Sequence, residues 1–310
     1  MLLGNPSGAS SKHLNNFLIE KHQYALSYSC DDKIPKWVSW QLNKNWLGES
    51  LRQDNFSKDP DIPEGCYAVK PTDYRGSGYH RGHMAPSADR TKSVEDNSAT
   101  FLMTNIIPQH EKNNVGVWKT LEAHSRELVE QGKELYIIAG GLNSKTTIGS
   151  AQIKVPEFTW KVIVVLDTPG IGLNGITRDT KTIAVMIPNS EEVDNKNWED
   201  YQVSIDYVEE KTKYNFLSNV PDEIENEIEV RGENSVRPAS QNINPRQIPT
   251  VTVSPTPQPS DDCDPNYTGA CIPTSPSDLN CGDITARRFQ SIGSDPHGFD
   301  RDKNGIACES

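Results

Sequence analysis

A polar, proline-rich stretch interrupts this 310-residue chain before its last fifty residues and rules out one continuous core. From Arg237 to Ser260 it carries Asn244-Pro245, Ile248-Pro249 and Ser254-Pro255-Thr256-Pro257-Gln258-Pro259. Proline lacks the N–H that helices and ladders use, and a segment this polar cannot bury enough apolar surface to offset the entropy of ordering it. The run Ile224 to Glu229 just before it is acidic. These shifts divide the chain into a larger domain (1–222), an acidic then proline-rich linker (223–262) and a small C-terminal module (263–310).

Charge follows the same division. Residues 1–220 carry 24 Lys and Arg against 28 Asp and Glu, whereas residues 221–310 carry 7 against 15, so most of the net charge of −12 lies in the tail. That balance excludes a protein held on nucleic acid by bulk electrostatics, though not one that meets phosphates through a few local arginines. No apolar run reaches the length of a membrane helix, and no basic-then-apolar signal segment opens the chain. Cys263, Cys271, Cys281 and Cys308 crowd into the last fifty residues, which suits a disulfide-stapled module made outside the reducing cytosol. A secreted or cell-surface protein is therefore expected. Cys30 and Cys66, in the larger domain, are a candidate pair.

The apolar runs 135–139, 160–166 and 182–187 are short, β-branched and bounded by Gly, Pro, Asn or Asp, which predicts central strands. Residues 99–104 read as a further strand. Between Asn113 and Gly132 the apolar spacing turns helical, with Gly132 as the stop. Strands mixed with few helices, in no strict alternation, give an α+β class.

The chemistry concentrates in Tyr79-His80-Arg81-Gly82-His83. An imidazole that is neutral near pH 7 can take a proton from water, and a guanidinium suits phosphate. Gly82 is expected to form a tight turn that points Arg81 and His83 into one space. On the predicted helix Asn114, Trp118, Glu122 and Arg126 recur at intervals of four and drift by only about 40° per step. An amide oxygen, a carboxylate and a guanidinium on one side could hold hydrated magnesium and a phosphate. The same spacing also fits an exposed face with an ordinary Glu122–Arg126 ion pair. Asn105 is a candidate polar support, Trp118 is expected in the core, and His110 and His124 at the surface.

Taken together these residues resemble the DNA/RNA non-specific endonucleases of the ββα-metal (His-Me finger) fold, with a central antiparallel sheet. Over about residues 4–220 the resemblance also includes Gly4-Asn5-Pro6-Ser7, Tyr24-Ala25-Leu26-Ser27-Tyr28, Arg52-Gln53-Asp54-Asn55-Phe56, Thr104-Asn105-Ile106-Ile107-Pro108-Gln109 and Asn114-Val115-Gly116-Val117-Trp118 with Leu121-Glu122. It implies that His83 is the general base, Asn114 the direct ligand of Mg2+ (or Mn2+), and Glu122 a residue ordering metal-bound water. It further implies that Arg52, Arg81 and Arg126 contact the scissile phosphate. The substrates would be DNA and RNA, cut to 5′-phosphate and 3′-hydroxyl ends, and a proteinaceous inhibitor is an expected partner. One position departs: the family's motif has Asp where this chain has His80. The rival expectation is therefore a catalytically impaired protein that binds nucleic acid or acts as a calcium-dependent surface protein.

In the tail Asp300, Asp302 and Asn304 stand at positions one, three and five before Gly305, the front half of an EF-hand-like loop. With Cys281 and Asp295-Pro296-His297-Gly298-Phe299 this segment resembles the excalibur calcium-binding domain. That resemblance implies Ca2+ ligands at Asp300, Asp302, Asn304 and Glu309 and a Cys281–Cys308 staple, and leaves Cys263 to pair with Cys271.

Overall fold

A computed structural model describes residues 1–231 and, in the C-terminal module, residues 264, 266–268, 272, 281, 284, 289–291, 295–300 and 306–308. The chain forms two compact units, Met1–Ser240 and Gln241–Ser310.

In the first unit β1 (Phe17–Glu20), β2 (Ala25–Ser29) and β3 (Ile34–Leu42) form an antiparallel meander. A separate pair follows, β4 (His80–His83) with β5 (Ile106–Gln109). The three apolar runs become β6 (Glu134–Ile148), β7 (Ile153–Leu166) and β8 (Lys181–Pro188), and β9 (Gln202–Val203) closes an antiparallel sheet of order β1-β2-β3-β6-β7-β8-β9. The expected α+β class with a central antiparallel sheet is what the chain adopts.

Those runs lack a polar face because both faces of the sheet are covered. By the two-residue period of a strand, Trp160, Val162, Val164 and Leu166 pack on one face with Ile138, Ala184 and Met186. Ile163 and Val165 pack on the other with Ile137, Ala139, Val185 and Ile187. The second face carries β4, β5 and the helix that follows them, so the residues predicted to do chemistry stand on a fully packed floor.

Between β3 and β4 the chain runs through about forty residues of mostly irregular backbone. Cys30 and Cys66 are disulfide-bonded, with Cα atoms 5.3 Å apart, so the candidate pair does form. Lys21 adds an ion pair to buried Asp59 at 2.8 Å, and Asp59 also accepts from the Thr104 hydroxyl. These ties fix the segment that carries Arg52 and Phe56.

Residues 99–104 are not a strand. Ser93 caps α1 (Val94–Ala99) by accepting from the Asp96 N–H. Asn97 then donates to the carbonyls of Ser87 and Arg90, and a short 3-10 turn follows at Met103–Asn105. Local capping and buried side-chain hydrogen bonds outweigh the β propensity of Thr100-Phe101-Leu102. The helix expected over 113–132 is α2 (Trp118–Glu130), entered through a kinked turn at Asn113–Val117 where Gly116 leaves helical geometry (φ -97°, ψ -113°).

The placement of 223–231 in the linker is also corrected. After α3 (Ile205–Thr212), helix α4 (Asp222–Ile228) folds back onto the first sheet face. Ile228 is fully buried there, its carbonyl accepts from the Thr182 hydroxyl at 3.2 Å, and the Glu229 carbonyl accepts from the Asp206 N–H. An acidic sequence hid one inward apolar stripe of Ile224 and Ile228.

In the second unit β10 (Tyr267–Thr268), β11 (Phe289–Ser291) and β12 (Ile306–Ala307) form an antiparallel sheet, and Cys281 is disulfide-bonded to Cys308. Asp295 accepts from the Tyr267 hydroxyl and from the N–H groups of Phe299 and Asp300, which shapes the turn leading to Asp300. Asp302, Asn304, Glu309, Cys263 and Cys271 lie outside the described residues.

Truncation checks the corrected boundary. A chain ending at Arg231 should keep the melting temperature of the larger unit. One ending at Pro221, which loses Ile228 from the core, should be less stable by about 3 kcal/mol in denaturant titration.

Candidate active site

The tight turn expected at Gly82 is instead a strand. His80, Arg81, Gly82 and His83 pair with Gln109, Pro108, Ile107 and Ile106. Alternation, not a turn, puts Arg81 and His83 on one face and His80 and Gly82 on the other. Both members of the first set meet Phe56: the Arg81 guanidinium lies 4.0 Å from its ring centroid and the His83 ring 5.4 Å away. Gly82 is required by a close approach, since a Cβ there would sit 2.1 Å from Gln109 Oε1.

His83 is held by packing. Phe101 meets its ring edge-on at 4.9 Å, and the Trp118 indole N–H donates to the His83 carbonyl at 3.3 Å. Trp118, the first residue of α2, is buried and thereby locks the helix to β4. Burial, then the Arg52 and Arg81 guanidinium groups, lower the pKa of His83 to about 3. Its imidazole is thus neutral near pH 7, and its buried Nε2 has no hydrogen-bond partner.

On the opposite face of β4, His80 Nδ1 lies 3.2 Å from Asn114 Nδ2. The amide donates, the imidazole accepts, and Asn114 Oδ1 is left for another partner. The kinked turn that carries Asn114 is pinned by Asn113, which donates to Thr159 Oγ1 and the Pro188 carbonyl and accepts from Gln109.

Asn114, His80, Arg81 and Arg52 line one cavity of about 500 Å³, together with Arg75, Phe56 and Tyr79. Arg52 is oriented by Asp54 at 2.8 Å and Ser87 at 2.8 Å. Three guanidinium groups against one carboxylate make this a local anion site in an acidic chain.

His83, Glu122 and Arg126 are not on that lining. Behind it, Arg126 pairs with buried Asp89 at 2.9 Å, and Asp89 also accepts from the Trp40 indole N–H at 3.0 Å. The ordinary Glu122–Arg126 pair does not form, because Asp89 takes the guanidinium. Lys161 is buried on β7 with its ammonium 4.0 Å from the Trp118 ring centroid. Burial raises the pKa of Glu122 to about 7, opposed first by the charge of Lys161, and burial lowers the pKa of Lys161 against the charge of Glu122.

Asn105 is a scaffold residue: fully buried, it accepts from the Ala85 N–H and donates to the Ala85 and Thr100 carbonyls. His124 is part-exposed against Trp198. Lys161, Asp89, Arg75 and Phe101 were not singled out in the sequence, and Phe56 stood there only within the Arg52–Phe56 motif. Only Lys161 left a signal, as the lone charge inside an apolar strand run.

Two strands and a helix that carry a neutral histidine, a free amide oxygen and clustered arginines define a ββα-metal nuclease. The chain belongs to the DNA/RNA non-specific endonuclease family, whose model matches residues 7–223. It is 53% identical over 236 residues to a "Nuclease" of Nostoc sp., spanning 76% of this chain and 86% of that protein. It is 32% identical to mitochondrial nuclease EXOG of Danio rerio over 64% of this chain and 58% of that one. The fold is shared with the crystal structure of an EndoG/EndoGI complex, with a TM-score of 0.57 and 24% identity over 69% of this chain and 94% of that one. The protein is a hydrolytic nuclease, and nucleic acid is its substrate.

The lowered pKa of His83 sets a stability window. Above about 6.5 both folded and unfolded states carry neutral imidazole; as pH falls toward 3 only the unfolded state gains the proton. From pH 7 to pH 5 the wild type should lose roughly 2 kcal/mol that His83→Gln does not lose, read from urea midpoints at each pH.

Proposed function

We propose that this nuclease cleaves DNA and RNA with little sequence preference, leaving 5′-phosphate and 3′-hydroxyl ends. The observation that carries the reading is one strand presenting a neutral, packed His83 and the Arg81 guanidinium to the same side, beside an arginine-lined cavity. In that arrangement His83 takes the proton from the attacking water. Arg81 and Arg52 hold the phosphate and its developing charge. Their contacts address the backbone rather than base edges, so sequence is weakly read.

The donor set fits a hard divalent cation, Mg2+ or Mn2+. Asn114 Oδ1 is left free by the hydrogen bond to His80 and would be the direct ligand, while Glu122, four residues before Arg126 on α2 and behind the lining, could act only through water. When bound, such a cation supplies positive charge against a phosphate oxygen and the leaving 3′-oxygen. Arg126 acts from behind, by neutralising Asp89 beneath the site. His80 is a positioning residue, since it fixes which way the Asn114 amide points. This is why the substituted motif position is compatible with activity.

The C-terminal module, in this reading, binds Ca2+ through Asp300, Asp302, Asn304 and Glu309, and the Cys281–Cys308 bridge staples it. Disulfides in both units support export to the secreted or cell-surface space. A free nuclease with an open cationic cavity also suits control by a proteinaceous inhibitor. Among the described residues no helix is long and apolar enough to cross a membrane.

Plasmid and RNA cleavage with magnesium, then with chelator, tests the reaction. His83→Ala should abolish cutting. His80→Ala should cost about tenfold, the equivalent of one lost hydrogen bond, while His80→Asp stays within a few-fold of wild type. A hundredfold gain in His80→Asp would mean that the parent site is disabled. Lys161→Met bears on the buried pair: losing the ammonium removes what keeps the Glu122 pKa down, so the acidic limb of the pH–rate profile should move to higher pH. A limb that stays in place would detach Glu122 from the reaction.

A further inference from the structure

The face of the sheet opposite the nuclease site holds a second cluster of hard ligands. Asp206 and Glu209 on α3 and Glu229 at the end of α4 bring carboxylate oxygens within 4.8 Å of one another. Asp206 is exposed, Glu209 half-buried and Glu229 only 5% exposed. Acidic groups gather at many surfaces without a ligand, so proximity alone assigns nothing.

Two further observations do. Glu229 Oε1 is buried with no hydrogen-bond partner, although the backbone around it is fully engaged: the Glu229 N–H donates to the Glu225 carbonyl, and the Glu229 carbonyl accepts from Asp206. An unpaired carboxylate oxygen in such a place costs free energy comparable to a lost charged hydrogen bond. The cluster also lacks a counter-charge. Among the described residues no Lys or Arg pairs with Asp206, Glu209, Glu225 or Glu229; the nearby Arg178 and Arg231 both turn to Glu227.

We propose that Asp206, Glu209 and Glu229 form a calcium site that fastens α4 to α3. The ligand set is all oxygen, which selects a hard cation over zinc or copper. Calcium–oxygen distances of about 2.3–2.6 Å place opposite ligands roughly 5 Å apart, so oxygens within 4.8 Å can share one ion. Magnesium would need them closer and in stricter geometry. Glu209 Oε1 already accepts from the Phe216 N–H at 2.7 Å, which aims its other oxygen while Asp206 leaves the outer side open for water. The site lies where the nuclease body ends. An ion there holds the last helix against Ile205, Val208 and Phe216.

The test uses the full chain stripped by chelator and then given calcium chloride without magnesium, with amide exchange read by mass spectrometry over residues 204–231. In the wild type calcium at about ten times its Kd should slow exchange in this segment about tenfold. In Glu229→Gln and in Asp206→Asn exchange should not respond, while all three proteins keep the same nuclease rate in magnesium. Asp206→Asn, at an exposed position, carries the test if Glu229→Gln fails to fold. Exchange unchanged by calcium in the wild type overturns the proposal. So does an equal response in all three proteins, which would place the ion elsewhere.

Discussion

The pairing of β4 with β5 is the constraint on which the site depends. Four residues in extended register send Arg81 and His83 to one side and His80 and Gly82 to the other. One side is the chemistry, an imidazole and a guanidinium against Phe56. On the other, Gln109 closes over Gly82 and His80 meets Asn114, and His80 and Asn114 line the same cavity as Arg81. Any side chain at position 82 would collide with Gln109, which also donates to Asn113 and so holds the turn that presents Asn114. The glycine thus links strand register to the geometry of the proposed metal ligand.

Beneath the cavity lies a charged layer that burial makes strong. Asp89, Arg126, Glu122 and Lys161 sit between the sheet and α2, each charge partly answering another. Removing any one would leave a neighbour uncompensated at low dielectric, which is why such groups must be placed as a set. Their fixed charges also explain how a chain of net charge −12 presents phosphate with a positive surface: the larger share of the net negative charge is in the tail, Asp89 and Glu122 are under the floor, and the arginines are on the wall.

The sheet covers its two faces for different ends. One carries the strand pair, α2 and the reacting groups; the other carries α3 and α4, which seal the hydrophobic back with Phe216, Leu217 and Ile228. The carboxylates on that back face cannot support the reaction through the sheet. Their part is to secure the end of the domain.

The sequence by itself determined the α+β class, the three central strands and the family to which the chain belongs, because β-branched runs and an ordered set of motifs carry that information locally. It also singled out His83, Arg81 and Asn114 as candidates, though for Gly82 it pointed to a turn where the backbone is extended. It misread 99–104, where a serine cap and a buried asparagine overrule propensity, and it placed α4 in the linker because only Ile224 and Ile228 of an acidic run turn inward. What the polar groups answer to is set by contacts across the fold. The pairing of Arg126 with Asp89 rather than Glu122, the hold of His80 on Asn114 and the burial of Lys161 are contacts between residues far apart in the chain. Their strength comes from exclusion of water, which no local pattern of residues records.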